Sequence, residues 1–170
     1  MASEAMHYEV HGVRLMVQDK NMACWFASAM MVLNWKETHR AGKACMMLDD
    51  QTIQLYKANN GLKNPQIIPL AKRLGLLPIA PQSPTINGLL GWLKSYGPLW
   101  TNGKQHIVVI AGIRGEPRRG YEVKVYDPWP GAGIGWRTLA GWYTGFSPGA
   151  NAASSRDTGK DVEAVFLHAP

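Results

Sequence analysis

Cys24-Trp25-Phe26-Ala27-Ser28-Ala29-Met30-Met31-Val32-Leu33-Asn34-Trp35 is the stretch on which the fold turns. Almost every position is apolar, so no single stripe faces a core. A helix that is apolar all round is a buried one. Twelve residues make an unusually long strand, and Ala and Met favour helix. The segment therefore reads as a central buried helix with Cys24 in its first turn and Asn21 ahead of it as a cap.

Outward from this helix, Asp49 and Asp50 cap a second one running through Ile53 and Tyr56 toward Gly61. Asn64-Pro65 opens a third, which ends at Leu74 before Gly75. Pro69 inside that segment argues for a later start. Thr85 caps a fourth, with Ile86, Leu89, Leu90 and Leu93 on one face and Gly97 as the stop. After Gly97 the texture becomes β-like. Pro98 to Trp100 reads as extended and Thr101-Asn102-Gly103 as a turn. His106 to Ile113 is rich in β-branched residues, and Gly115 to Gly120 reads as a loop. Tyr121 to Tyr126 alternates apolar and polar residues, as a half-buried strand does. Val162 to Leu167 reads as a closing strand, and His7–Val10 with Val13–Val17 as weak strand candidates at the start. Helices followed by strands indicate an α+β class. The chain of 170 residues fits one domain, mainly helical over 1–97 and mainly β over 98–170.

Composition narrows the function. Apolar residues make up 46% and charged residues 18%, a globular balance. The longest apolar run, Ile107 to Ile113, is far shorter than the ~20 residues of a membrane span, so no membrane insertion is expected. Met1 to Val10 carries neither a basic flank nor an apolar stretch, and no signal peptide is expected there. The net charge of +6 is scattered, with no dense basic run to footprint nucleic acid. Two cysteines, Cys24 and Cys45, are too few for a disulfide scaffold. With no Cys-x-x-Cys pair, a zinc site is not supported, and Cys45 with nearby His39 falls short of four ligands. Each cysteine is an inert core thiol, half of one disulfide, or a reactive group.

Strand pairing favours a reactive group at Cys24. The two strands flanking Pro117 should form an antiparallel hairpin. Centring its loop on Pro117 sets His106 opposite Pro128 and Asp127 opposite Ile107. One residue of slack brings Asp127 beside His106, within hydrogen-bonding reach. A thiol at a helix start lies in a positive field that favours thiolate. An imidazole can take its proton and later return one to a leaving group. A carboxylate orients that imidazole. Alone, each residue is commonly structural, but together they serve the steps of acyl transfer. His168, also beside an apolar strand, has no carboxylate placed for it. The glycine-rich run Gly131 to Gly135 reads as flexible loop, and Trp129, Trp136, Trp142 and Tyr143 as core or groove lining.

Gln18, five residues on Cys24-Trp25, and then Ala27 resemble the active-site segment of papain-like cysteine peptidases. Met22-Ala23 stands where that family has smaller residues. Gly97-Pro98-Leu99-Trp100, the His106 strand and Val125-Tyr126-Asp127-Pro128 resemble its bacterial branches. These include leader-processing peptidases of bacteriocin exporters and secreted effector proteases of plant pathogens. The resemblance implies a papain-like α+β fold with Cys24 as nucleophile, His106 as base and acid, and Asp127 as orienter. It implies Gln18 and the Cys24 backbone N–H as the oxyanion hole, and Met22, Trp25 and Trp129 as substrate contacts. No metal or cofactor is expected. The implied activity is hydrolysis of a peptide bond in a protein or peptide substrate. As an effector or toxin domain, it would leave a bacterium by a signal-peptide-independent route and act in a target-cell cytoplasm, with a cognate immunity or inhibitor protein. The alternatives are a cytoplasmic location; a peptidoglycan amidase, protein deamidase or transglutaminase-like reaction by the same residues; and a non-catalytic binding module.

Overall fold

A computed structural model describes residues 4–39, 48–80, 84–103, 106–138 and 166–170. Among these residues, four helices are followed and flanked by an antiparallel sheet. The helices are α1 (Cys24–His39), α2 (Asp50–Ala58), α3 (Ile67–Leu74) and α4 (Ile86–Tyr96). The strands are β1 (Met6–Glu9), β2 (Leu77–Ile79), β3 (Leu99–Gly103), β4 (His106–Glu116), β5 (Gly120–Asp127), β6 (Gly133–Thr138) and β7 (Phe166–His168). Their spatial order is β2-β7-β3-β4-β5-β6, and β1 pairs with the distal half of β4.

The central helix is buried as its composition requires. Cys24, Trp25, the run from Ala27 to Leu33, and Trp35 are all inside. It lies against β4 and β3, where the Ser28 hydroxyl donates to the Ile107 carbonyl at 3.2 Å. The Trp100 indole donates to the Trp25 carbonyl at 3.1 Å. These two bonds pin the first turns of α1 to the sheet, and a buried polar group retained in this way must be paired. Lys36 and His39 occupy its last turn, where cations suit the helix dipole.

The other caps are local and legible. Asp49 accepts from the Thr52 N–H, and Thr85 accepts from the Gly88 N–H. Asn59 ends α2 earlier than Gly61, in the left-handed conformation that asparagine tolerates. A short 3-10 turn over Asn64–Gln66 precedes α3, so Pro69 falls in the first helical turn, where its missing N–H costs nothing.

Several expectations are corrected. Thr101, Asn102 and Gly103 are not a turn but the buried end of β3, and Gly103 pairs directly with His106. Leu77–Ile79 forms a short strand paired with β7, a long-range contact with no local signature. The glycine-rich run is not all loop, since β6 starts at Gly133 and pairs with β5. Val13–Val17 is not a strand. Strand β4 runs on to Glu116, so the hairpin loop is Pro117 to Arg119, one residue beyond the expected centre. Gly115 permits this tight closure: with φ of +142°, an added Cβ would lie 2.2 Å from the Gly120 carbonyl oxygen. Of Val162–Leu167 only Phe166 and Leu167 are described, and Cys45, Trp142 and Tyr143 lie outside the described residues.

Candidate active site

Three elements converge on one point. Helix α1 begins at Cys24, β4 begins at His106, and β5 ends at Asp127. Ser28 lies one turn beyond Cys24 on the same helix face, and its bond to Ile107 seats that face on the start of β4. The Cys24 thiol consequently confronts the His106 ring and interacts with it electrostatically. The other side of the ring is held by Asp127, whose Oδ1 accepts from His106 Nε2 at 2.7 Å. That leaves Nδ1 as the ring nitrogen for the thiol. All three side chains are buried.

A bulge decides whether the histidine and the aspartate meet. Near the hairpin tip, Ile113 pairs with Val123 and Gly112 with Lys124. Toward the base, Ile110 pairs with Val125 and Val109 with Tyr126. Ala111 is therefore an extra residue in β4. Side chains alternate along a strand, so the tip register continued unbroken would set Asp127 opposite Val109, on the face away from His106. The extra residue moves Asp127 opposite Val108, onto the face that carries His106. The two meet diagonally rather than directly across, which corrects the simple pairing expected from the loop centre. Val10 donates to the Ala111 carbonyl at 2.8 Å, so strand β1's end satisfies the bulged backbone.

Charge follows from this geometry. Burial pushes the His106 ring toward its neutral form, but the Asp127 and Cys24 contacts outweigh it and raise its pKa to about 9. Burial pushes the Asp127 carboxyl up, but His106, the Arg137 guanidinium and the Trp129 N–H hold it well below the ordinary carboxylate range. The Trp129 N–H donates to Oδ1 at 3.0 Å and Arg137 Nη2 donates to Oδ2 at 2.6 Å. Arg137 escaped the sequence reading because the preceding glycine run read as loop, which hid the pairing that carries it to Asp127.

Gln18 is buried beside these elements. Its backbone N–H donates to the Pro128 carbonyl at 2.8 Å, joining the segment before α1 to the segment after Asp127. Its side-chain amide donates to the carbonyls of Lys20 at 2.9 Å and Asn21 at 3.0 Å. Both amide hydrogens are thus directed at the loop rather than at a substrate. Asn21, expected to cap α1, contributes this carbonyl. Asn59 was also missed; its side chain accepts from the Met22 N–H at 3.0 Å and fixes the approach to Cys24.

The expected substrate contacts divide. Met22 and Trp129 are half-buried at the two ends of the site, each held through its backbone N–H. Trp25 is 1% exposed and packs edge-on against Phe26. Its ring belongs to the core, and a side chain with almost no exposed surface is not the groove contact expected of it. His168 lies on β7, stacked on Tyr96, away from β4 and β5. Among the described residues, no group of three or more His, Cys, Asp and Glu side chains is arranged to hold a metal ion.

A family model described as "Papain-like cysteine protease AvrRpt2" matches residues 7–140, which include Gln18, Cys24, His106, Asp127 and Arg137. The chain belongs to the AvrRpt2 family of papain-like cysteine proteases. This family member has the helix-plus-antiparallel-sheet fold its sequence implied. Among solved structures it resembles UfSP from C. elegans, with a TM-score of 0.63 at 14% identity over 82% of this chain. That likeness concerns the fold, and this chain spans about a third of that one, 32%. No curated protein matches it in sequence.

Proposed function

We propose that the protein is a secreted bacterial effector that cuts a peptide bond of a protein target, with Cys24, His106 and Asp127 as its catalytic residues. The observation that carries this reading is the buried chain of contacts from the Cys24 thiol through the His106 ring to the Asp127 carboxylate, closed by the 2.7 Å bond.

Each group performs one step. The Cys24 sulfur, as thiolate, attacks the scissile carbonyl carbon, and the thiol proton resides on His106 Nδ1. His106 gives that proton to the departing amine nitrogen as the C–N bond breaks, leaving a thioester on Cys24. Water then attacks the thioester carbonyl while His106 accepts its proton, and the acid leaves with the thiol restored. Asp127 keeps Nε2 protonated and the ring facing the sulfur. Negative charge on the tetrahedral oxygen is met by the Cys24 backbone N–H in the first helical turn, where such groups lack intrahelical partners. The Gln18 amide joins it by exchanging one of its two bonds to the Lys20 and Asn21 carbonyls.

The effector role rests on the family match and on the sequence resemblance to secreted pathogen proteases. No helix among the described residues is long and apolar enough to cross a membrane. On this reading the substrate lies in a target-cell cytoplasm, and the producer carries an immunity or inhibitor protein. The test is to expose a target-cell extract to the protein and label newly formed N-termini for mass spectrometry. New termini should appear with wild type and fall by about 10⁴-fold or more in turnover with Cys24→Ala. His106→Ala should cost nearly as much, and Asp127→Ala about 10–10³-fold. A one-dalton change at glutamine side chains without new termini would replace the peptidase reading with deamidation.

A further inference from the structure

Arg137 sits on β6 opposite Val123, while Asp127 at the other end of the same pairing lies opposite Gly133. Alternation along β6 places Gly133, Gly135 and Arg137 on one face, and this is the face that carries Val123, Val125 and Asp127 on β5. The two glycines leave no side chain standing on β6 between the arginine and the carboxylate. The guanidinium reaches across that bare stretch and places Nη2 2.6 Å from Asp127 Oδ2. Oδ1 is meanwhile occupied by His106 Nε2 and the Trp129 N–H. The carboxylate is entirely buried, whereas the Arg137 side chain keeps 21% of its surface exposed. A carboxylate gripped on both oxygens cannot rotate about its own axis, so the oxygen facing the imidazole stays in one place.

We infer that Arg137 is a positioning residue for the reaction: it fixes the Asp127 carboxylate from the side opposite His106 and, through it, the orientation of the imidazole toward Cys24. This rests on the catalytic assignment proposed above. Its charge has a second consequence. A cation next to Asp127 disfavours additional positive charge nearby and favours the thiolate form of the nucleophile. Removing it should therefore shift the ionisations of the site toward higher pH.

The test needs no substrate. Iodoacetamide alkylation of Cys24 is followed across pH 4 to 10 by mass spectrometry, which separates the Cys24 and Cys45 peptides. Wild type, His106→Ala, Arg137→Ala, Arg137→Gln and Arg137→Lys are compared, each with a circular dichroism spectrum and a thermal melt. Arg137→Ala and Arg137→Gln should move the acid limb of the Cys24 profile upward by about half a pH unit or more and slow labelling near pH 5 by about threefold or more. Arg137→Lys should restore the limb in part, because it returns the charge without the planar fork. An arginine that only supports the fold would lower the melting temperature and leave the limb where it was, which would overturn the inference. If Arg137→Ala does not fold, the Gln and Lys variants decide in the same way. If wild type and His106→Ala give the same profile, the catalytic assignment itself has failed; if they differ but the Arg137 variants superimpose on wild type, only the role of Arg137 has.

Discussion

The β4–β5 hairpin carries ion pairs at both ends, and the two ends behave as different materials. At the tip, Arg119 pairs with Glu116 and Arg114 with Glu122, with side chains 88%, 42%, 39% and 38% exposed. Arg114 also lies over the Trp136 ring, and His7 meets that ring edge-on. At the base, His106 and Asp127 are 1% and 0% exposed. Exposed pairs are screened by water and salt and contribute about 0–1 kcal/mol. A buried pair costs several kcal/mol to desolvate, and breaking one side leaves an uncompensated charge at about 3–5 kcal/mol. The tip pairs exchange freely with water, while the base holds an imidazole and a carboxylate in a single buried geometry. The Ala111 bulge separates the two regimes along one strand.

The sharpest way to break this contrast is to shift the register below the bulge. Deleting Val108 should set Asp127 opposite Ile107, on the face away from His106, and lower turnover as far as Cys24→Ala does. Activity assays with a circular dichroism check of the fold measure it; a folded, active deletion variant would mean that the hairpin loop can absorb the shift. A smaller effect is the pH dependence of stability. The His106 pKa is raised, so its contribution is complete below the ordinary histidine value of about 6.5 and is lost as pH rises through about 9. The Asp127 pKa is lowered, so its contribution is present above about 4 and is lost as pH falls further. Urea melts of wild type and His106→Ala should differ in pH profile chiefly above pH ~6.5, where the wild type alone loses this increment. Parallel profiles there would show that the pair does not couple to folding. The smallest effect belongs to the tip: Glu122→Gln should change stability by no more than about 1 kcal/mol, and less in high salt. A loss comparable to that of Asp127→Ala would erase the distinction between the ends.

Much of this site is legible without coordinates. Gln18, Cys24, His106 and Asp127 stand in an order and spacing that match a protease family, and three of them end or begin elements whose local signals are strong. The apolar run from Cys24 to Trp35, the β-branched run from His106 and the Asp-Pro step after β5 each speak for themselves. Residues acting across strands were harder. Arg137 and Asn59 work through partners distant in sequence, β2 exists only because β7 lies beside it, and Trp25 carries the same letter whether it faces a groove or a core.

From its order of residues alone, the chain determined a buried helix headed by a thiol, a later antiparallel hairpin bearing an imidazole and a carboxylate, and hence its resemblance to papain-like proteases. These depend on local propensity, capping and alternation, which act over a few residues. Only the tertiary structure decided that Asp127 shares a face with His106, that Arg137 reaches the far oxygen of that carboxylate, and that both hydrogens of the Gln18 amide are engaged by the loop it crosses. Each of these depends on register, and a one-residue slip in a strand reverses the face of every side chain beyond it.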